Sequence, residues 1–152
     1  NFDYLIYPSH ARFNPDNAII IAELKGKAFK GETLAGLKGL QCWVTAEDIR
    51  GMLKWQQVIG ASTAKGYARA VFVFAYRLEN IDVENDGYEI YDYGSKQYVF
   101  FCIDLRDYVD GMKLRSRRWQ TVFLSSENFR NKVISLRQLT APDTIRPYRV
   151  CY

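Results

Sequence analysis

Histidine is almost absent from this chain of 152 residues, which contains only His10. That residue falls in a predicted loop, and no pattern around it supports a Ser-His-Asp triad, a Cys-His nucleophile or a histidine-rich metal site. The glycines lack the spacing of a phosphate-binding loop or a dinucleotide-binding fold. If the chain is an enzyme, these absences leave carboxylate and metal chemistry as the route open to it.

Cysteine is also scarce, with three residues, Cys42, Cys102 and Cys151, far apart in the chain. An odd number without a Cys-x-x-Cys pair indicates neither a disulfide framework nor a zinc site, so we expect a cytoplasmic, reducing location. No run approaches the ~18 apolar residues of a membrane helix, and we expect no membrane partner.

The composition is that of a packed domain, with 48% hydrophobic and 15% aromatic residues, which argues against disorder. The length predicts a single domain over residues 1–152. A formal net charge of +4 is compatible with a polyanionic partner and is not diagnostic of one. A monomer and a homodimer both fit these numbers.

Two strands, Phe2–Tyr7 and Ala18–Lys25, are predicted near the start, joined by a polar loop. Because side chains alternate along a strand, an antiparallel pairing with Leu5 opposite Ile21 matches apolar partners. The same pairing sets Asp3 opposite an acid on the second strand.

That opposing acid is Glu23, and Lys25 follows on the same face. Like charges opposite each other destabilise a sheet by roughly 0.2–1 kcal/mol unless a cation lies between them. Two carboxylates suit Mg²⁺ (or Mn²⁺), so Asp3 and Glu23 are the predicted metal ligands. Lys25 would hold the attacking water or the developing negative charge. The alternative is an exposed hairpin in which Glu23 and Lys25 form a surface ion pair of little value.

An acid that ends one strand and an acid-x-lysine triplet on the next resemble the PD-(D/E)XK nuclease superfamily, which includes restriction endonucleases and junction resolvases. The matching residues are Asp3, Glu23 and Lys25, and the resemblance covers residues 2 to about 78. Phe2 stands where the superfamily often, but not always, has proline. The resemblance implies a Mg²⁺-dependent nuclease that hydrolyses phosphodiester bonds in DNA.

A helix should follow, because Thr45 is a good N-cap and Asp48 completes a capping box. It is predicted to span Ala46–Ile59 and to end at Gly60. In the resembled superfamily, the corresponding helix sometimes sends a polar residue towards the site. Gln56 is the candidate for that catalytic role, and a glutamine at the edge of the apolar stripe is the alternative.

The run Ala68–Leu78 is nearly continuously apolar, which is typical of a central strand reached by a parallel crossover. We therefore predict an α/β (α+β) fold with a central mixed sheet and flanking helices. Residues 1–78 would form a restriction-endonuclease-like core, and residues 79–152 a C-terminal β-hairpin and helix extension. The resemblance also implies a helix and a strand upstream of Asn1, so the true N-terminus is expected to be missing.

Basic residues cluster in two places. A glycine-rich loop is predicted over Lys27–Leu40, and a cationic segment precedes Trp119; each is either a contact for phosphates or a solvated surface. Trp43 is interpreted as a core residue in preference to a stacking platform. The predicted nucleic-acid-binding residues are Lys27, Lys30, Lys38, Arg115, Arg117 and Arg118.

Beyond these residues, the second half of the sequence predicts a tyrosine-rich hairpin over Tyr88–Leu105 and then shorter elements. The shorter elements are predicted at Asp104–Lys113 (helix), Trp119–Leu124 (strand) and Glu127–Leu136 (helix).

Two other functions remain open. One is a non-catalytic nucleic-acid-binding or interaction domain with the same fold. The other is a structural protein that offers the edge of the tyrosine-rich hairpin to a partner.

Overall fold

A computed structural model describes residues 2–7, 18–30, 34, 39–64, 66, 68–79, 81 and 87–140. The predicted polar loop with His10, the predicted phosphate contact Lys38 and the end of the chain after Thr140 lie outside these residues. Within the described part, no helix combines the length and the apolar character needed to cross a membrane.

The described residues form two sheets and several helices. The strands in chain order are β1 (Tyr4–Ile6), β2 (Ile20–Phe29), β3 (Val44–Thr45), β4 (Arg69–Leu78), β5 (Ile90–Tyr93), β6 (Lys96–Asp104), β7 (Lys113–Ser116), β8 (Thr121–Phe123) and β9 (Ile134–Ser135). The helices are α1 (Ala46–Ser62), α2 (Leu105–Gly111), α3 (Ser126–Lys132) and α4 (Leu136–Thr140).

The main sheet has six strands in the order β1-β2-β4-β6-β5, and β9 also pairs with β6. β1 is antiparallel to β2, and the predicted pairing of Leu5 with Ile21 is confirmed. β2 runs parallel to β4 from the pair Ile20–Arg69 onward, so α1 is the predicted crossover connection. The predicted mixed sheet with flanking helices is therefore confirmed.

β4 is the central strand, and every residue in it except its two arginines is buried. Phe72 and Phe74 lie on the face that packs against Tyr108 of α2, with Phe72 and Tyr108 in edge contact at 5.2 Å between ring centroids. The opposite face packs against Leu139 of α4. Burial on both faces explains the continuous apolar sequence of this strand, as predicted.

α1 begins as the sequence predicts, with Thr45 as N-cap and a complete capping box to Asp48. The predicted end at Gly60 is wrong, because the helix continues to Ser62 and Thr63 caps it. Gly60 is buried inside the helix and does not adopt the left-handed backbone that makes glycine a helix terminator. The sequence predicts an apolar stripe of Ile49, Met52, Leu53 and Ile59 on this helix; Ile49 and Met52 are buried, whereas Leu53 is 43% exposed.

A second sheet of three strands, β3-β8-β7, was not predicted. Tyr108 joins it to the core: its hydroxyl donates to the Cys42 carbonyl at 2.7 Å and lies 3.2 Å from the Val122 carbonyl. The predicted strand Trp119–Leu124 is shortened to β8, and the predicted last helix is divided into α3, β9 and α4. Such short strands carry too little local signal to be recognised before their partners are known.

We expect the substitution Tyr108→Phe to lower the free energy of unfolding by about 1–3 kcal/mol, because it leaves the buried Cys42 carbonyl without its donor. Urea unfolding measures this change. Tyr93→Phe is the matched control: Tyr93 is 80% exposed, and its variant should stay within about 0.5 kcal/mol of the parent. Equal stability of the two variants would contradict the role given to Tyr108.

Candidate active site and nucleic-acid interface

Asp3 lies across the strand pair from Glu23, one step beyond the last paired residues, Tyr4 and Ala22. The Asp3 amide donates to the Ala22 carbonyl at 3.0 Å, and the Leu24 amide donates to Asp3 Oδ2 at 2.8 Å. The two predicted metal ligands are therefore cross-strand neighbours. One oxygen of Asp3 is engaged by the backbone of β2.

The Lys25 ammonium lies between two carboxylates. Its Nζ is 2.9 Å from Glu23 Oε1 and 3.0 Å from Asp48 Oδ1. The three side chains are 13–22% exposed, so this is not the solvent-exposed pair of the alternative interpretation. Burial disfavours the charge of Lys25, but the hydrogen bonds and charges of Glu23 and Asp48 outweigh it and raise the Lys25 pKa.

Asp48 is the site residue that the sequence analysis missed, since it received only a capping role. Its Oδ2 accepts from the Thr45 amide at 2.8 Å, and its Oδ1 faces Lys25. Burial opposes its charge, yet the bonds from Thr45 and Lys25 lower the pKa of the Asp48 carboxyl. The usable signal was an aspartate in the first turn of the helix that follows an acid-x-lysine strand.

Gln56 lies elsewhere on α1. Its Nε2 donates to the Ala68 carbonyl at 2.9 Å, at the start of β4. Eight residues separate Gln56 from Asp48, which is about 12 Å along a helix axis. The helix therefore brings Asp48 to Lys25, while the amide of Gln56 satisfies a backbone carbonyl at the other end of the sheet.

Glu23 retains one unsatisfied oxygen. Its Oε2 is buried and has no hydrogen-bond partner among the described residues. Leaving a buried acceptor unpaired costs roughly 1–3 kcal/mol, so a cation or a water is the natural complement of this oxygen. Across the same described residues, histidine, cysteine and acidic side chains do not gather in threes around one point.

The predicted loop is wrong at Lys27, which lies within β2 on the same strand face as Lys25. Its Nζ is 3.3 Å from the centroid of the Trp43 ring, and the Arg115 guanidinium carbon is 5.1 Å from that centroid. Trp43 is thus a partly buried platform for two cations, not solely a core residue. Burial first, and then the charges of Lys25 and Arg115, lower the Lys27 pKa to about 8.

The remaining predicted cations are spread more widely. Lys30, just beyond the end of β2, pairs with Glu79 at 3.3 Å, and Arg77 pairs with the same carboxylate. Arg117 and Arg118 lie in the turn between β7 and β8, and both are exposed. Of the predicted cations that the structure describes, Lys27 and Arg115 are the two whose charges meet beside Lys25.

We expect Lys27 to lose its proton near pH 8 in the folded chain. An NMR titration of ¹³C-labelled lysines should show one side chain with a midpoint near 8, missing in Lys27→Met. The unfolded chain keeps this proton up to about 10.5, so the folded state should gain stability as the pH rises from about 8 towards 10.5. The assignment is wrong if Lys27→Met removes no signal that titrates below about 10.

Comparison with protein-family models, with curated proteins and with solved structures finds no match for this chain. What the site can do therefore follows from its own residues. These are Glu23 and Lys25 on the sheet, Asp48 at the start of α1, and Lys27 with Arg115 beside them.

Proposed function

We propose that the chain is a PD-(D/E)XK-like, metal-dependent nuclease domain that hydrolyses phosphodiester bonds in DNA. The observation that carries this proposal is the partly buried couple of Glu23 and Lys25, in which one oxygen of Glu23 is orphaned. Asp3 lies one strand away. Burying charged groups costs free energy, and an ion pair on an exposed hairpin would not incur this cost.

The metal would be Mg²⁺ or Mn²⁺, held by Glu23 Oε2 and by Asp3. Two protein carboxylates with the other positions left to water and substrate phosphate is the usual way in which Mg²⁺ is bound. The orphaned oxygen of Glu23 fits this role because it lacks a protein donor. When bound, Mg²⁺ supplies an activated water and neutralises charge on the phosphodiester.

Lys25 provides a fixed positive charge. Like an ordinary lysine it is protonated at neutral pH, and Glu23 and Asp48 favour that charge further, so it can donate to an oxygen on which negative charge develops. Glu23 and Asp48 hold its Nζ from two sides and so fix its position. A phosphate oxygen would take the place of one of these carboxylates when the substrate binds.

Other features support the same function. The two acid-bearing strands are adjacent and antiparallel, and α1 packs against the sheet as the corresponding helix does in the resembled superfamily. Lys27 and Arg115 add positive charge beside the site, where a phosphate backbone would pass. The buried thiols of Cys42 and Cys102 are free, which fits a reducing, cytoplasmic compartment.

A non-catalytic nucleic-acid-binding domain is the second candidate. It is favoured by the neutralisation of Lys25 by two carboxylates and by the backbone amide on Asp3. Such a network could hold the fold together without chemistry. It predicts salt-dependent binding of DNA, unchanged by EDTA, and no cleavage.

We expect Asp3→Asn, Glu23→Gln and Lys25→Met each to reduce Mg²⁺-dependent cleavage of labelled DNA at least about 100-fold, since each removes a group that contacts the metal or the developing charge. Glu47→Gln is the matched control, because Glu47 is an exposed acid next to Asp48 on α1. It should cleave like the parent.

Calorimetry with Mn²⁺ separates the two candidates, and circular dichroism verifies that each variant is folded. The nuclease binds the metal, and Glu23→Gln loses that binding. If the parent binds DNA but neither binds metal nor cleaves, the second candidate is correct. If all three variants cleave as fast as the parent, the site assignment is wrong.

A further inference from the structure

The turn between β7 and β8 presents a large aromatic side chain to solvent. Trp119 is 67% exposed, the most exposed tryptophan of the three in the chain. Its turn is well defined: the Trp119 amide lies 3.2 Å from Ser116 Oγ, and the Gln120 amide donates to the Arg117 carbonyl at 3.3 Å. A single exposed ring is common on protein surfaces, so the surroundings of Trp119 decide whether it serves a partner.

The backbone of this turn also carries strain. Gln120 has a φ of 45°, and it is the one non-glycine residue with positive φ in the part of the chain that is described. Such a conformation costs of the order of 1–3 kcal/mol where no glycine relieves it, and it clusters at functional sites. The surroundings therefore hold the turn in a particular shape.

What holds the turn is the start of α1. The Ala46 amide, which would otherwise lack a partner in the first turn of the helix, donates to the Gln120 carbonyl at 2.8 Å. Thr45 pairs with Thr121 across β3 and β8. The same Thr45 forms the capping box with Asp48, which binds Lys25. The exposed aromatic turn and the candidate site are thus fastened to one helix terminus.

The hairpin that carries the turn is strongly basic. Residues 113–120 contain four arginines and lysines and no acid. The Arg118 guanidinium carbon lies 5.1 Å from the centroid of the Trp119 ring, and Arg115 reaches back to Trp43 and so to Lys27. Positive charge is therefore present at the turn and, through Arg115 and Lys27 at the Trp43 ring, beside Lys25, as expected for a surface that contacts a phosphate backbone.

We propose that Trp119 is a stacking platform for an unpaired base, so that the ligand of this surface is a single strand of nucleic acid. The phosphates of that strand would follow Arg115 and Lys27 towards the candidate site. Paired bases in a duplex hide their faces in the stack, whereas an unpaired base can lie on an aromatic ring. This inference rests on the proposed function in one respect: if the domain is a nuclease, its substrate is single-stranded.

Fluorescence anisotropy with the full chain tests this proposal, in EDTA so that no metal-dependent cleavage occurs. The probes are a labelled thymidine oligonucleotide, the same backbone without bases, and a blunt duplex of equal length. Trp119→Ala should weaken binding of the thymidine strand at least about fivefold, because one base loses its stacking partner. Trp119→Phe keeps an aromatic face and should retain most of the affinity.

The base-free strand should bind the parent and Trp119→Ala equally, because it keeps its phosphates but has no base that could stack on Trp119. Tyr93→Ala is the control for loss of an exposed aromatic, since Tyr93 is 80% exposed on the separate β5–β6 hairpin. It should bind like the parent. The proposal is overturned if Trp119→Ala binds the thymidine strand as tightly as the parent, or if the parent prefers the duplex.

The failure of this proposal can be distinguished from that of the nuclease. Tryptophan-dependent binding of the thymidine strand without any metal-dependent cleavage would refute the nuclease and support the platform. The nuclease would be supported and the platform refuted if Glu23→Gln abolishes cleavage while Trp119→Ala binds the thymidine strand as tightly as the parent.

Discussion

The parallel pairing of β2 with β4 is the constraint on which the candidate site depends. Two parallel strands cannot be joined by a tight turn, so the chain between them must cross one face of the sheet. α1 fills that crossing and runs back along the sheet: Asp48 in its first turn meets Lys25 midway along β2, and Gln56 meets the Ala68 carbonyl at the start of β4. The site thus arises where the helix first touches the acid-x-lysine strand.

Two lysines on the same strand face show how far the surroundings decide the chemistry. Lys25 and Lys27 are both partly buried, and burial opposes the charge of each. Lys25 has carboxylates on two sides, and its pKa rises. Lys27 has instead an aromatic ring and neighbouring cations, and its pKa falls to about 8. A lysine that keeps its proton therefore lies beside one that loses its proton near pH 8.

The features that could be predicted from the sequence are those with a local or strictly periodic signal. Apolar alternation set Leu5 opposite Ile21, and the continuous apolar run marked β4. The features that were missed depend on contacts between distant segments. The glycines after Lys27 suggested a loop where β2 continues. The residues around Asp48 show its capping role, whereas its contact with Lys25 depends on how the helix packs on a strand more than twenty positions away. The short strands β3, β7 and β8 are stabilised by pairing with one another and by the contact with Tyr108, and no local pattern predicts either.

The small sheet formed by those three strands connects the second half of the chain to the site. Tyr108 fastens it to the core through Cys42 and Val122, while the Gln120 carbonyl satisfies the first turn of α1. A displacement of the hairpin would therefore disturb the same helix terminus that presents Asp48. Since Lys25 is held by Asp48, the surface proposed to bind nucleic acid and the charges proposed to act on it share one mechanical support. The start of α1 therefore fixes the position of the turn that would bind the strand and, through Asp48, the position of Lys25.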